Sequence, residues 1–341
     1  MKQKLDNIRV IFIVSRGRSG STLLQSIIDA HPNICAPIES KFVLHLKTKY
    51  QDISNWNNKI VSSFIKDIYT NRKFRLFWNV TPQELETLFK KYHISNFADA
   101  CKVIYLSHQS MFPKEEIKLI VDKNPLHSIF ISQILEVFPG ANFIHLIRDP
   151  RASSYSHIKA LLQTSVSPLA ADWSLLNMRI ELAKMKFSHL FYTIKYEDLT
   201  RIPEEKLIQL FSFINISFNP NLLNANKTIK QKIQANRYLS LPHHTNIAQP
   251  IYTKMIDLWK EKLTKKEIEI INLICEPQLI KYKYSYSKPS YSLKNKVMIK
   301  LSKKRALFTE WMLQLMFNMP FIFRVLLFRL VSALRDKRYK N

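Results

Sequence analysis

Apolar positions along the chain follow two rhythms. Four short runs are almost continuously apolar: Ile8 to Val14, Ile117 to Val121, Asn142 to Ile147 and Leu190 to Ile194. Longer stretches with helical spacing lie among them, including Leu23 to Ala30, Ser128 to Val137 and Glu204 to Ile214. Short runs without polar alternation read as strands buried on both faces, which is the habit of a parallel sheet covered by helices. Their alternation with helices predicts an α/β fold whose ligands gather where the strands end.

Candidate chemistry follows directly after two of these strands. The first is trailed by Ser15-Arg16-Gly17-Arg18-Ser19-Gly20-Ser21-Thr22, which holds two of the chain's three glycines. Glycine lets successive N–H groups converge on one point, and a helix N-terminus adds roughly half a positive charge, so this strand-to-helix turn is suited to phosphate. Arg18, Ser21 and Thr22 add side-chain donors. A nucleoside triphosphate loop would read G-x-x-x-x-G-K-[ST]. Here Ser21 stands where the lysine belongs and Ser15 where the first glycine belongs, so the ATP machinery is incomplete.

The third run leads into Arg148-Asp149-Pro150-Arg151-Ala152-Ser153-Ser154-Tyr155-Ser156. Pro150 suits the first turn of a helix, which would carry Ser156 within reach of a ligand held by Arg148. An arginine fork and a hydroxyl fit a phosphate monoester. The alternative reading is an Arg148–Asp149 ion pair at a solvated helix start; a second phosphate-ready turn in the same chain favours the ligand site.

Composition narrows the class. With 46% apolar residues, 341 residues can bury a sizeable core. Cys35, Cys101 and Cys275 are far apart without metal-ligand spacing, so they read as buried apolar residues rather than a disulfide framework or a metal site. No secretory signal pattern opens the chain, and the expected compartment is cytoplasmic. The net charge of +26 is uneven: residues 281–341 hold 15 Lys or Arg against Glu310 and Asp336. Within them, Trp311 to Phe323 is uncharged but contains Pro320 and is shorter than the ~20 residues a membrane span needs. Two readings stay open: an amphipathic segment lying on an anionic membrane, or a helical cap on the body. A boundary is expected near residue 285, where Ser285 to Ser292 would join a main domain (1–285) to a basic helical extension (286–341).

Together the two turns resemble those of the sulfotransferases that use 3′-phosphoadenosine 5′-phosphosulfate, PAPS, over roughly residues 8–260. Ser15 to Leu24 resembles the 5′-phosphosulfate loop. Phe143 to Ser156 resembles the 3′-phosphate site, whose arginine and serine spacing is matched by Arg148 and Ser156. Leu23 to Ser40, with Asp29-Ala30-His31-Pro32 and Glu39, is similar to a stretch of the tyrosylprotein branch in which the matching glutamate is the base. Val121 to Leu126 and Lys195 to Leu199 are further family-like patches, contributing Lys123 near the sulfate and Tyr196 near the cofactor. The chain is expected to depart from that branch in having no membrane anchor before the first turn. It departs again at His243-His244-Thr245-Asn246 and Gln249-Pro250, where the branch has a serine and lysine before a proline.

The resemblance implies a P-loop-like three-layer fold and metal-independent, in-line transfer of a sulfuryl group to a hydroxyl of a glycan, lipid or peptide. Arg18 and Lys123 would neutralise the transferring group, and Glu39 would take the acceptor proton. Ser19, Gly20, Ser21 and Thr22 would hold the 5′-phosphate, leaving adenosine 3′,5′-bisphosphate as the product. On residues alone the better reading of Glu39 is a carboxylate at the start of a helix, favoured by the dipole, and only the resemblance makes it a base. His31 is expected to order the turn after the first helix, with His127 and His157 as reserve bases. Two other readings are a nucleotide-dependent kinase, whose lysine and magnesium carboxylates are not found, and a non-catalytic basic protein on membrane or nucleic acid. Neither requires two phosphate turns. Nucleic acid is not expected as a partner, and Phe42 to Lys118, where acceptor specificity would lie, shows no readable motif.

Overall fold

The computed structural model describes residues 5–161, 165–235, 245–251, 253–287 and 292–338. The chain opens with β1 (Arg9–Val14), α1 (Ser21–Asp29) and the two-residue β2 (Ile34–Cys35). Five helices follow: α2 (Phe42–Tyr50), α3 (Asn58–Ile68), α4 (Arg72–Phe77), α5 (Pro82–Lys91) and α6 (Phe97–Leu106). The sheet resumes with β3 (Leu119–Lys123), then α7 (Ile131–Val137), β4 (Asn142–Ile147), α8 (Pro150–Leu161), α9 (Val166–Lys186) and β5 (Phe191–Lys195). Beyond it come α10 (Tyr196–Arg201), α11 (Pro203–Phe213), α12 (Ala225–Lys232), α13 (Lys254–Asp257), α14 (Trp259–Lys262) and α15 (Lys265–Lys281). The basic C-terminal region forms α16 (Leu293–Asn318) and α17 (Phe321–Arg338).

All strand pairs are parallel, in the order β2-β3-β1-β4-β5. The continuously apolar runs are explained by burial on both faces: Val10, Phe12 and Val14 enter one core, Ile11 and Ile13 the other. The central sheet is thus flanked by helices, as the strand pattern predicts. Several expected bounds shift by one to three residues. The strand read from Ile117 begins at Leu119, and the helix read from Ser128 begins at Ile131, because Asn124 caps a 3₁₀ turn over Pro125–Ile129 first. Chain order moves from β3 on one side of β1 to β4 on the other, so the crevice between β1 and β4 is the switch point at which such sheets bind ligands.

The C-terminal helices pack on the body. Phe317 and Phe321 join the larger core, and Gln314 donates to the carbonyl of Ile129 at 2.9 Å. Arg324, fully buried, donates to the carbonyls of Phe317 and His45 and to Thr48 Oγ1. Pro320 stands between the two helices, where the missing N–H prevents continuation.

Candidate functional site

The turn after β1 is held open by two left-handed residues. Gly20, at the N-cap of α1, has φ +89°, and Arg18 has φ +68°. A Cβ on Gly20 would come within 2.3 Å of the Tyr196 ring, so both backbone angle and space require glycine. Gly17 is different: its φ is not in the left-handed region, and an added Cβ would meet only His157 at 3.6 Å. The expected role of paired glycines is therefore divided between Gly20 and the backbone of Arg18.

Four elements bring a cationic cleft together at the switch point. Arg18 Nε donates to Ser156 Oγ on α8 at 3.2 Å. Arg148, at the end of β4, donates to the carbonyl of Arg18 at 3.1 Å and of Met255 at 2.8 Å, and its guanidinium lies 4.3 Å over the Tyr196 ring. Burial, and then the Arg148 charge, lower the pKa of Arg18. The Arg148–Asp149 ion pair entertained from sequence does not form, because Asp149 is taken by the Arg151 guanidinium in a two-point contact at 2.9 and 2.6 Å. Glu197 accepts the Asp149 amide, fixing this turn against α10. Arg148 Nε is buried without a hydrogen-bond partner, as is Ser19 Oγ. The cleft, of roughly 110 Å³, is lined by Arg18, Gly20, Ser21, Thr22, Arg148, Ser156 and Tyr196, together with Ile247, Gln249, Pro250, Ile251 and Met255. The last five were missed as site residues; Gln249-Pro250 marked the place only as a departure from a known pattern. His243 and His244 lie outside the described residues, as do Pro289 and Ser290 of the expected linker.

Beside this cleft lies a second cluster, with Thr22 common to both. Lys123, at the end of β3 and 2% exposed, is 3.5 Å from Thr22 Oγ1 and 3.3 Å from Glu39 Oε2. Lys73 of α4 holds the other Glu39 oxygen at 2.6 Å. Burial pushes the Glu39 carboxyl up, but the charges and hydrogen bonds of Lys123 and Lys73 prevail and bring it down to about 2. Glu39 precedes α2 but does not cap it; Lys41 occupies the N-cap, so the bland helix-start reading gives way to an ion-paired carboxylate. Asp122 next door accepts from Tyr105 at 2.5 Å, and burial raises its carboxyl to about 7. Sequence gave no signal for Lys73, which lies in the stretch without a readable motif.

The histidines separate into structural roles. His31 Nδ1 accepts the Asn33 amide and orders the turn after α1. His127 is fully buried, edge-on to Phe12, and lowered to about 3 by burial, which removes it as a reserve base. His157 is lowered to about 3 by burial and the Arg16 charge; its Nε2 is 2.7 Å from Arg16, so it braces the turn after β1 instead.

A helix N-terminus with convergent arginines at the switch point, and a glutamate–lysine cluster beside it, occur on a chain whose residues 10–220 match the profile of the Sulfotransferase family. The chain belongs to the sulfotransferase family. It is 25% identical over 232 residues to the protein-tyrosine sulfotransferase of Drosophila melanogaster, covering 65% of this chain and 41% of that one. A shorter similarity, 30% over 115 residues and 29% of each chain, relates this sulfotransferase to an omega-hydroxy-beta-dihydromenaquinone-9 sulfotransferase of Mycobacterium bovis. In fold it is similar to the sulfotransferase domain of the Synechococcus PCC 7002 olefin synthase, with a TM-score of 0.55 and 20% identity, covering 84% of this chain and all of that domain.

Proposed function

We propose that this sulfotransferase moves a sulfuryl group from PAPS to an acceptor hydroxyl. The observation that carries the reading is the state of Arg148: it is buried, released from Asp149 by Arg151, and aimed with Arg18 and Ser156 into a cleft at a helix N-terminus. The buried Arg148 and half-buried Arg18 guanidinium groups together favour an anion, and the partnerless Arg148 Nε and Ser19 Oγ are donors such an anion would satisfy. The residues thus fit the 3′-phosphate and 5′-phosphate ends of PAPS, which when bound supplies the sulfuryl group. Arg148 and Ser156 would hold the 3′-phosphate, and the Ser19 to Thr22 amides and hydroxyls the 5′-phosphate. Arg18, expected at the transferring group, makes its side-chain contact with Ser156, and we assign it to the nucleotide end.

Lys123, Thr22 and Glu39 form the reacting end. Lys123 carries its charge to the wall shared with the phosphate turn, where developing negative charge is stabilised by a preorganised cation. Glu39 is ionised at neutral pH and would accept the acceptor proton once Lys123 and Lys73 loosen their hold on it. The relatives named above act, by name, on protein tyrosine and on a lipoquinone; both present hydroxyls, and a hydroxyl acceptor is the chemistry they share.

Calorimetry with adenosine 3′,5′-bisphosphate tests the donor site, with ATP and magnesium as comparison. Binding should favour the bisphosphate and weaken by about 2 kcal/mol or more in Arg148→Ala, the loss expected for a charged hydrogen-bonding group. Preference for ATP would overturn the reading. With labelled PAPS and a tyrosyl peptide or lipoquinol panel, Glu39→Gln should lower kcat by about 10²–10⁴ with little change in bisphosphate affinity. A fully active Glu39→Gln enzyme would remove the base role while leaving the donor site standing.

A further inference from the structure

The two C-terminal helices are apolar on opposite sides, and the body covers only one of them. Along α16, Ser302, Ala306, Glu310 and Phe317 are buried, with Glu310 held by Arg179 at 2.6 and 2.8 Å. The other side presents Leu293, Val297, Leu301, Phe308, Trp311 and Leu315, each between 50 and 79% exposed. At the helical angle per residue these six fall within a sector of about 80°. Exposed Lys304 lies in that stripe and Lys300 beside it, with Lys296 farther round on the same side; Arg305 turns instead to Asp172 of the body at 3.7 Å. Helix α17 repeats the arrangement: Phe321 and Arg324 are buried while Ile322, Phe323, Leu326 and Leu330 are 54–69% exposed, beside exposed Arg329.

An apolar surface of this size on a soluble face marks a docking site, and its chemistry selects the occupant. A second copy would set two strongly basic surfaces against each other, since residues 281–341 carry 15 Lys or Arg and two acids. An anionic bilayer supplies both complements: an acyl boundary for the Leu, Phe and Trp side chains, and headgroup phosphates for lysines that reach outward from the same stripe. No described helix is long and apolar enough to cross a membrane, so the docking would be in the plane of the surface.

We propose that the outer faces of α16 and α17 bind an anionic membrane surface, with the apolar stripes entering the headgroup–acyl boundary. This stands apart from the donor site and does not depend on it. Flotation of the full chain with phosphatidylcholine vesicles, with and without phosphatidylglycerol, tests it. Binding should require phosphatidylglycerol, and the double substitution Phe308→Asp with Trp311→Asp should weaken it about tenfold or more. Both side chains are exposed, so an unchanged thermal midpoint should accompany that loss; Lys296→Glu with Lys300→Glu supplies an independent variant with the same expected direction. Negligible binding to the anionic vesicles, or full binding by the Phe308/Trp311 variant, would overturn the proposal. A concentration-dependent dimer in sedimentation that the same double substitution dissolves would also overturn it, assigning the stripe to a second copy.

Discussion

Gly17 and Gly20 look equivalent in sequence, yet their side-chain vacancies have different consequences. At Gly20 an alanine would have to hold φ near +89° and would overlap the Tyr196 ring. The first term is roughly 1–2 kcal/mol and the overpacking about 1–3 kcal/mol. Tyr196 is also the ring beneath Arg148, so displacing it moves a guanidinium of the cleft. Gly20→Ala should therefore lower the melting temperature and weaken bisphosphate binding together, whereas Gly17→Ala should stay within about 0.5 kcal/mol of the parent. Parallel thermal melts and titrations of the two variants check this, and indistinguishable variants would mean the turn relaxes freely. The chemistry of residues was the most legible layer of this chain: Arg148 and Ser156 were readable because their spacing coincides with a strand end and one stretch of helix. The Lys73–Glu39 contact was not, because it joins residues 34 apart through a helix whose place depends on the packed core.

Strands were legible for a simple reason. A run buried on both faces is apolar at most positions, as β1 and β4 are; β3 is apolar until Asp122 and Lys123 at its end, and β5, the edge strand, is only half-buried yet still reads as an apolar run. The helices between Phe42 and Leu106 were not, although each of four carries its own start signal. Asn57, Asn71, Thr81 and Asn96 accept from the amides of Ile60, Phe74, Glu84 and Asp99. Such caps contribute about 1 kcal/mol each and fix where a helix begins, but not how five short helices pack around Phe42, Phe64, Phe74, Trp78 and Phe97. The C-terminal helices show the same limit: composition offered a cap or a membrane segment, and only packing reveals that α16 covers the body with one face and leaves an apolar stripe exposed on the other. Arg324 secures the second of these helices, since one buried guanidinium on α17 donates to the carbonyls of Phe317 and Met319 ahead of Pro320 and of His45 on α2. Arg324→Ala should leave those carbonyls buried without donors, a cost of about 1–3 kcal/mol concentrated where α17 meets α2. Hydrogen exchange should then show early opening of residues 321–330 while β1 and β4 keep their protection. Uniform loss of protection would instead mean that α17 opens only with the whole fold.

At the scale of the molecule, strand order and charge act on the same crevice. The order β2-β3-β1-β4-β5 puts the turn after β1 and the Arg148 turn of β4 side by side, while β3 delivers Lys123 from the other flank. One sheet end thus brings two arginines together and keeps a lysine–glutamate pair next to them. Around it the whole chain carries a net +26, a field that draws multiply charged anions toward the surface before any contact forms. That field is screened once the Debye length, about 10 Å at 0.1 M salt, becomes shorter than the approach distance. The partly buried contacts made by Arg148 and Arg18 are screened less. Salt should therefore act mainly on association: raising ionic strength well above 0.1 M should slow bisphosphate binding by roughly tenfold while dissociation changes little. Stopped-flow titration across a salt series separates the two rates. A salt effect confined to dissociation would locate the electrostatics in the cleft alone and leave the remaining charge without a part in bisphosphate capture.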